Sequence, residues 1–266
     1  MTAISEASTT HDLGRRAVVA GSPPIIVGAV GVELASRGYR VVLGVRNLDD
    51  VDDILGITDA DVDAMSCFAL DLADQRSVEL FVERSADALG DIDVLVMATG
   101  ATAAVDFAAD SSESLVGQIH VDLVGSHRLA TQVLPLMLSR GRGDVVFIAA
   151  GDSLPPHTHV GAFGTVEPST SEMVKNLRSE LAGTGVRTGY VQFGPTSLDS
   201  AYQLLGQEPR VVPSGSPTRD ALRHNNLLRP ADIARAVTFV IETPDGRQVA
   251  AVGIQPEAPI SVASRG

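Results

Sequence analysis

Lysine is almost missing from this 266-residue chain: Lys175 is the only one. Tryptophan is absent, cysteine is limited to Cys67, and aromatic residues make up only 4%. A lone cysteine excludes a disulfide framework and a cysteine metal cluster, and predicts a small buried apolar residue. Acidic residues outnumber basic ones, 33 to 20, and the net charge of −13 argues against nucleic acid and anionic membrane as partners. No apolar run is long enough to span a bilayer. The uncharged stretch from Val18 to Val32 is too short, and Pro23-Pro24 interrupts it. The opening residues, MTAISEASTTHDLGRR, lack the apolar core of a signal peptide. They predict a polar, poorly ordered tail over 1–14, and the chain is expected to be cytoplasmic.

What is present is aliphatic and regularly spaced. RAVVA (16–20), YRVVLGV (39–45), CFAL (67–70), IDVLVMA (92–98), GDVVFIAA (143–150), VRTGYVQF (186–193) and QVAAVGIQ (248–255) read as strands. They are continuous apolar runs, as strands covered on both faces require. Helical patterns fall between them, near 28–37, 75–89, 111–140, 168–182 and 231–242. The expected fold class is α/β: one doubly wound, Rossmann-type parallel sheet of about seven strands, with helices on both faces, over 15–266. The segment from Ser197 to Leu228, rich in Pro, Ser, Gly and charge, reads as a substrate lid.

Over nearly the whole chain, from about Arg16 to Ala258, the order of these elements resembles the short-chain dehydrogenase/reductase family. RGYRVVLGVRN resembles its second strand, DLAD (71–74) its aspartate motif after the third, and DIDVLVMATG its fourth strand with the Asn-Asn-Ala-Gly ending. LVGQIHVDLVGSHRLATQVLPLML, GRGDVVFIAAG, NLRSELAGTGVRTGYVQFGP and LLRPADIARAVTFVIE match the elements that follow. The resemblance implies carbonyl–alcohol chemistry with a nicotinamide cofactor. It also implies a proton-donating tyrosine, a lysine one helical turn later, a serine that polarises the carbonyl and an asparagine that holds a relay water.

The register of LRSELAG places other residues at those four positions: Phe163 for tyrosine, Glu167 for lysine, Ala150 for serine and Asp122 for asparagine. None of the tyrosines, Tyr39, Tyr190 and Tyr202, is followed by a lysine at that spacing. The glycine-rich turn is altered as well. Gly21 fits its first position, but GSPPIIVG puts Ile25 and Val27 at the other two, where they are expected to fill the pyrophosphate space. The strand-four motif ends as Met97-Ala98-Thr99-Gly100, and the Pro-Gly after strand six is reversed as Gly194-Pro195. Gly21, Arg46, Asp71 and Gly100 remain as a vestigial cofactor site, with Arg46 matching the arginine that selects NADP.

These departures lead to an expectation of a non-redox pseudo-dehydrogenase with no cofactor, a structural or regulatory subunit paired with a competent relative. The homo- or hetero-oligomer would form through the helices near 111–140 and 168–182. Their apolar rows are Leu115, Ile119, Leu123, Leu129, Val133 and Leu136 on one, and Met173, Val174, Leu177 and Leu181 on the other. Two alternatives stand beside this. One is a cofactor-independent lyase, isomerase or cyclase reusing a pocket of Asp122, Asp152, His157, His159, Phe163 and Glu167, with Asp122 and Glu167 sharing a proton or cation. The other is an atypical NADP-dependent oxidoreductase. His157-x-His159 alone is too little for a metal site. Pro168 predicts that the helix starts there, after a longer loop over 157–166.

Overall fold

The computed structural model of the chain describes residues 14–49, 65–99, 111–150, 163–194, 196 and 228–256. Seven parallel strands form one sheet: β1 (Arg16–Gly21), β2 (Arg40–Val45), β3 (Met65–Ala69), β4 (Val94–Thr99), β5 (Gly143–Ala150), β6 (Val186–Phe193) and β7 (Ala251–Ile254). Their order is β3-β2-β1-β4-β5-β6-β7. The winding therefore reverses between β1 and β4. In such a sheet the crevice at the carboxyl ends of these two strands is the place for a ligand.

Helices cover both faces. α1 (Pro24–Ser36) packs on one, together with the helix Pro230–Ile241 near the end of the chain. Val19, Ile26, Val30, Leu34, Val96, Ile148 and Val237 form that core. On the other face lie α2 (Gln75–Leu89), a long helix over 112–140, and the helix Phe163–Glu180. Val18, Leu95, Phe147, Leu129, Val133 and Val174 meet there. The central strands β1, β4 and β5 are buried on both sides, which is why they read as unbroken apolar runs. The edge strands β3 and β7 are half-covered, and Cys67 on β3 is only half-buried, not fully buried as expected.

The long helix has three parts: α3 (Ser112–Gln118), a π-helical stretch (Ile119–Gly125) and α4 (Ser126–Arg140). Ser111 caps it by accepting a hydrogen bond from the Ser114 N–H at 3.1 Å. Gly141 ends it in the left-handed conformation, φ +65°. Inside it, a Cβ at Gly125 would lie 2.7 Å from Cβ of Leu72, so glycine lets the helix reach the β3–α2 turn.

Three expectations need correction. α5 (Phe163–Glu180) does not wait for Pro168: it runs through both Phe163 and Glu167, and Pro168 sits inside it. The cause is packing. Val166, Thr170 and Val174 recur every fourth residue on its buried face and hold the first turns in place despite the missing proline N–H. α1 likewise begins at Pro24 rather than near 28, because proline suits a first turn. The apolar rows assigned to an interface also belong in good part to the chain's own core. Leu129, Val133, Val174 and Leu181 are buried within it, and Leu136, Met173 and Leu177 pack against it.

Candidate active site

The cleft at the carboxyl ends of β1 and β4 is built around Gly21. Its φ is +123°, and a Cβ there would lie 1.9 Å from the Ala98 carbonyl oxygen. Only glycine fits. The Ser22 N–H donates to that same carbonyl at 2.9 Å, which ties the turn to β4. The turn does not open onto Val27. That side chain is fully buried beneath α1, and half-buried Ile25 packs against the same core. The expected obstruction by Val27 is therefore absent, because one helical face carries it into the sheet. Pro23 and Pro24 have no N–H, and the amides of Ile26 and Val27 both turn back to the Pro23 carbonyl, at 3.0 and 3.3 Å. Among the described residues, Ile25 has the remaining first-turn amide that could meet an anion.

Arg46 follows β2 and projects into solvent, its side chain 79% exposed, with Nη2 3.0 Å from Oδ2 of Asp71. The other oxygen of Asp71 accepts from the Ala73 N–H at 3.0 Å, and the Asp71 N–H donates to Ser77 Oγ at 2.9 Å. The aspartate therefore shapes the turn before α2 as well as pairing with Arg46. An exposed pair of this kind is held weakly, so Arg46 can be exchanged onto a phosphate at little cost.

Asp122 lies in the π-helical stretch and is 6% exposed. Such stretches are frequent at functional sites. Ala150 ends β5, half-buried. Phe163 opens α5, and Glu167 follows one turn later. Glu167 turns toward β6. Its Oε1 accepts from the Tyr190 hydroxyl at 2.9 Å and from Nε2 of Gln192 at 2.9 Å. Burial pushes the Tyr190 phenol far above its usual range, and the Glu167 charge and hydrogen bond add to this, so the hydroxyl stays a donor. The carboxylate imagined as sharing a proton with Asp122 is thus held by two donors on the sheet.

Sequence reasoning singled out neither Tyr190 nor Gln192 as a site residue. A signal was there: the two alternate on one face in the C-terminal half of β6, beside apolar Val191 and Phe193. Gly100, Asp152, His157 and His159 lie outside the described residues. Among the described residues no group of three or more His, Cys, Asp or Glu side chains is placed to hold a metal. No helix among them is long and apolar enough to cross a membrane.

The short-chain dehydrogenase family pattern matches residues 15–208. The chain belongs to the short-chain dehydrogenase family. It is 30% identical over 177 residues to 2-dehydro-3-deoxy-L-rhamnonate dehydrogenase (NAD(+)) of Sphingomonas sp., covering 65% of this chain and 68% of that one. It is 27% identical over 247 residues to glycine betaine reductase of Emericella nidulans. That match takes in 91% of this chain but only 19% of the relative, about a fifth of its length. An alcohol dehydrogenase of Thermococcus sibiricus, solved with 5-hydroxy-NADP, superposes with a TM-score of 0.71 at 21% identity, over 92% of this chain and 97% of that one.

These relatives overturn the expectation of a non-redox pseudo-dehydrogenase acting as a partner subunit. They are named as dehydrogenases and reductases. The expectation that no cofactor is used loses its support with them. It rests on departures at the glycine turn, at the ends of the fourth, fifth and sixth strands and in two helices, whereas the family match runs through residues 15–208.

Proposed function

We propose that the chain is an NADP-dependent oxidoreductase acting on a carbonyl–alcohol pair. The observation that carries this reading is Arg46, exposed at the end of β2 beside the β1–β4 crevice and held, among the described residues, by its pairing with Asp71. An arginine in that place suits the additional phosphate of NADP. The Ile25 amide and the N-terminus of α1 suit the pyrophosphate. The residues fit the group, with fewer amides than a glycine-rich turn would offer. When bound, the cofactor supplies hydride chemistry. The chain's own part is to hold the adenosine phosphate with Arg46 and to shape the cleft with Asp122, Ala150 and Glu167, while Phe163 stands at the family's tyrosine position. Because none of these four matches the family's donor set, the proton is handled by a group other than a tyrosine at 163. A homo-oligomer through the helices near 111–140 and 168–182 is part of the proposal. Leu115, Ile119 and Leu123 are half-buried in the single chain and would meet across it, and the mass of the native protein tests this.

The test of activity is steady-state NADPH oxidation with a panel of ketones and aldehydes. NADPH should be preferred to NADH, and Arg46→Ala should raise KM for NADPH about tenfold with kcat little changed, as expected for a lost charge-assisted phosphate contact. Absence of turnover across the panel overturns the reading.

A further inference from the structure

Among the described residues, no cation stands beside Glu167. Asp91, Asp93 and Asp144 each have an arginine within 2.9 Å. Glu167 is half-buried on α5, and its described partners are the Tyr190 phenol and the Gln192 amide, both neutral. A carboxylate withdrawn from water without a counter-charge is costly, and proteins ordinarily pair such groups. Both donors approach Oε1. They fix the carboxylate in direction and leave Oε2 without a partner among the described residues. Gln192 is the last residue but one of β6, so this oxygen stands near the carboxyl edge of the sheet, where ligands bind in doubly wound folds. The net charge of −13 adds a field that draws cations toward the protein.

We propose that Glu167 is a substrate-recognition residue whose Oε2 binds a protonated nitrogen on the substrate, with Tyr190 and Gln192 as its positioning residues. This names the substrate class as an amino-bearing alcohol or carbonyl compound, and it rests on the oxidoreductase reading above. Tyr190 serves by staying protonated: as a neutral donor it orients the carboxylate without cancelling the charge that the ligand is to meet.

The test uses the full chain and two probes of equal size, 3-amino-1-propanol and 1-butanol, titrated by ligand-observed NMR at neutral pH. The amino alcohol should bind at least tenfold more tightly than butanol. Glu167→Gln, which keeps shape and hydrogen-bonding capacity, should abolish that preference. Tyr190→Phe should reduce it several-fold while leaving the charge in place, so the proposal stays open to refutation even if one variant folds poorly. Equal binding of the two probes by the wild type, or an unchanged preference in Glu167→Gln, overturns the proposal. A parallel NADPH titration separates the two readings: NADPH binding without amine preference removes only this inference, whereas a failure to bind NADPH removes the oxidoreductase reading.

Discussion

The two edges of the sheet treat charge in opposite ways. At the amino edge every buried carboxylate is matched. Asp93, just before β4, accepts from Arg16 Nε at 2.7 Å, Arg16 Nη2 at 2.9 Å and Arg140 Nη1 at 2.8 Å. Asp144, near the start of β5, accepts from Arg15 at 2.6 Å and from Arg187 at 2.7 and 3.0 Å. These pairs tie β1, β4, β5 and β6 together. At the carboxyl edge, among the described residues, Glu167 meets only neutral donors, and Arg46 is tied loosely to one exposed acid. Matched charge is structure: it is complete without a ligand. The charges at the carboxyl edge are the ones proposed above to meet a ligand.

The largest expected effect comes from breaking the amino edge. Asp144→Ala would leave Arg15 and Arg187 half-buried without their shared partner. Stability should fall by about 3–5 kcal/mol, measured by urea unfolding. A loss below about 1 kcal/mol would mean that the two edges do not differ in this way.

Acid should act on the same edge. Burial opposes the ionisation of Asp93, but hydrogen bonds from the Arg16 side chain and backbone, the Arg16 charge and a hydrogen bond from Arg140 outweigh it, holding the carboxyl at about 2 against an ordinary 3.8. The folded pKa is the lower one. The stabilisation is therefore fully present above about pH 4 and is lost as pH falls through 2. Its size is about 2 kcal/mol, and it should be missing from the pH dependence of Asp93→Asn unfolding.

The carboxyl edge should respond weakly in stability. Tyr190→Phe removes one hydrogen bond and should cost about 1 kcal/mol. Glu167→Gln should change stability by less than that, since it removes an uncompensated charge while keeping the acceptor. A loss of several kcal/mol in Glu167→Gln would reassign this carboxylate to the structural class.

The same contrast explains what could be read from the sequence. The strands were legible because β1, β4 and β5 are covered on both faces and must be apolar throughout. The helix boundaries were less so: Pro168 carries a local signal to start a helix, and the packing of Val166, Thr170 and Val174 overrides it. The apolar rows at Leu129, Val133 and Val174 correctly marked a buried face. Periodicity reports that a face is covered but not by what, and here the cover is the chain's own sheet. Val27 departs from its expected place because a position in a motif does not state which way a side chain turns. Glu167 is legible as a pocket residue, but its partners are not, because they lie 23 and 25 residues away and meet it only when β6 comes under α5. The largest error concerned function. Missing motif residues suggest lost activity, whereas the family match extends far beyond them.

The central claim is that the carboxyl edge binds NADP through Arg46 although its turn lacks the second and third glycines. Calorimetric titration of NADPH into the full chain tests it most directly. The account predicts binding in the micromolar range, weakened about tenfold by Arg46→Ala, with NADH bound no better by the wild type than NADPH by that variant. Heats indistinguishable from dilution, or equal affinity in wild type and Arg46→Ala, would contradict it.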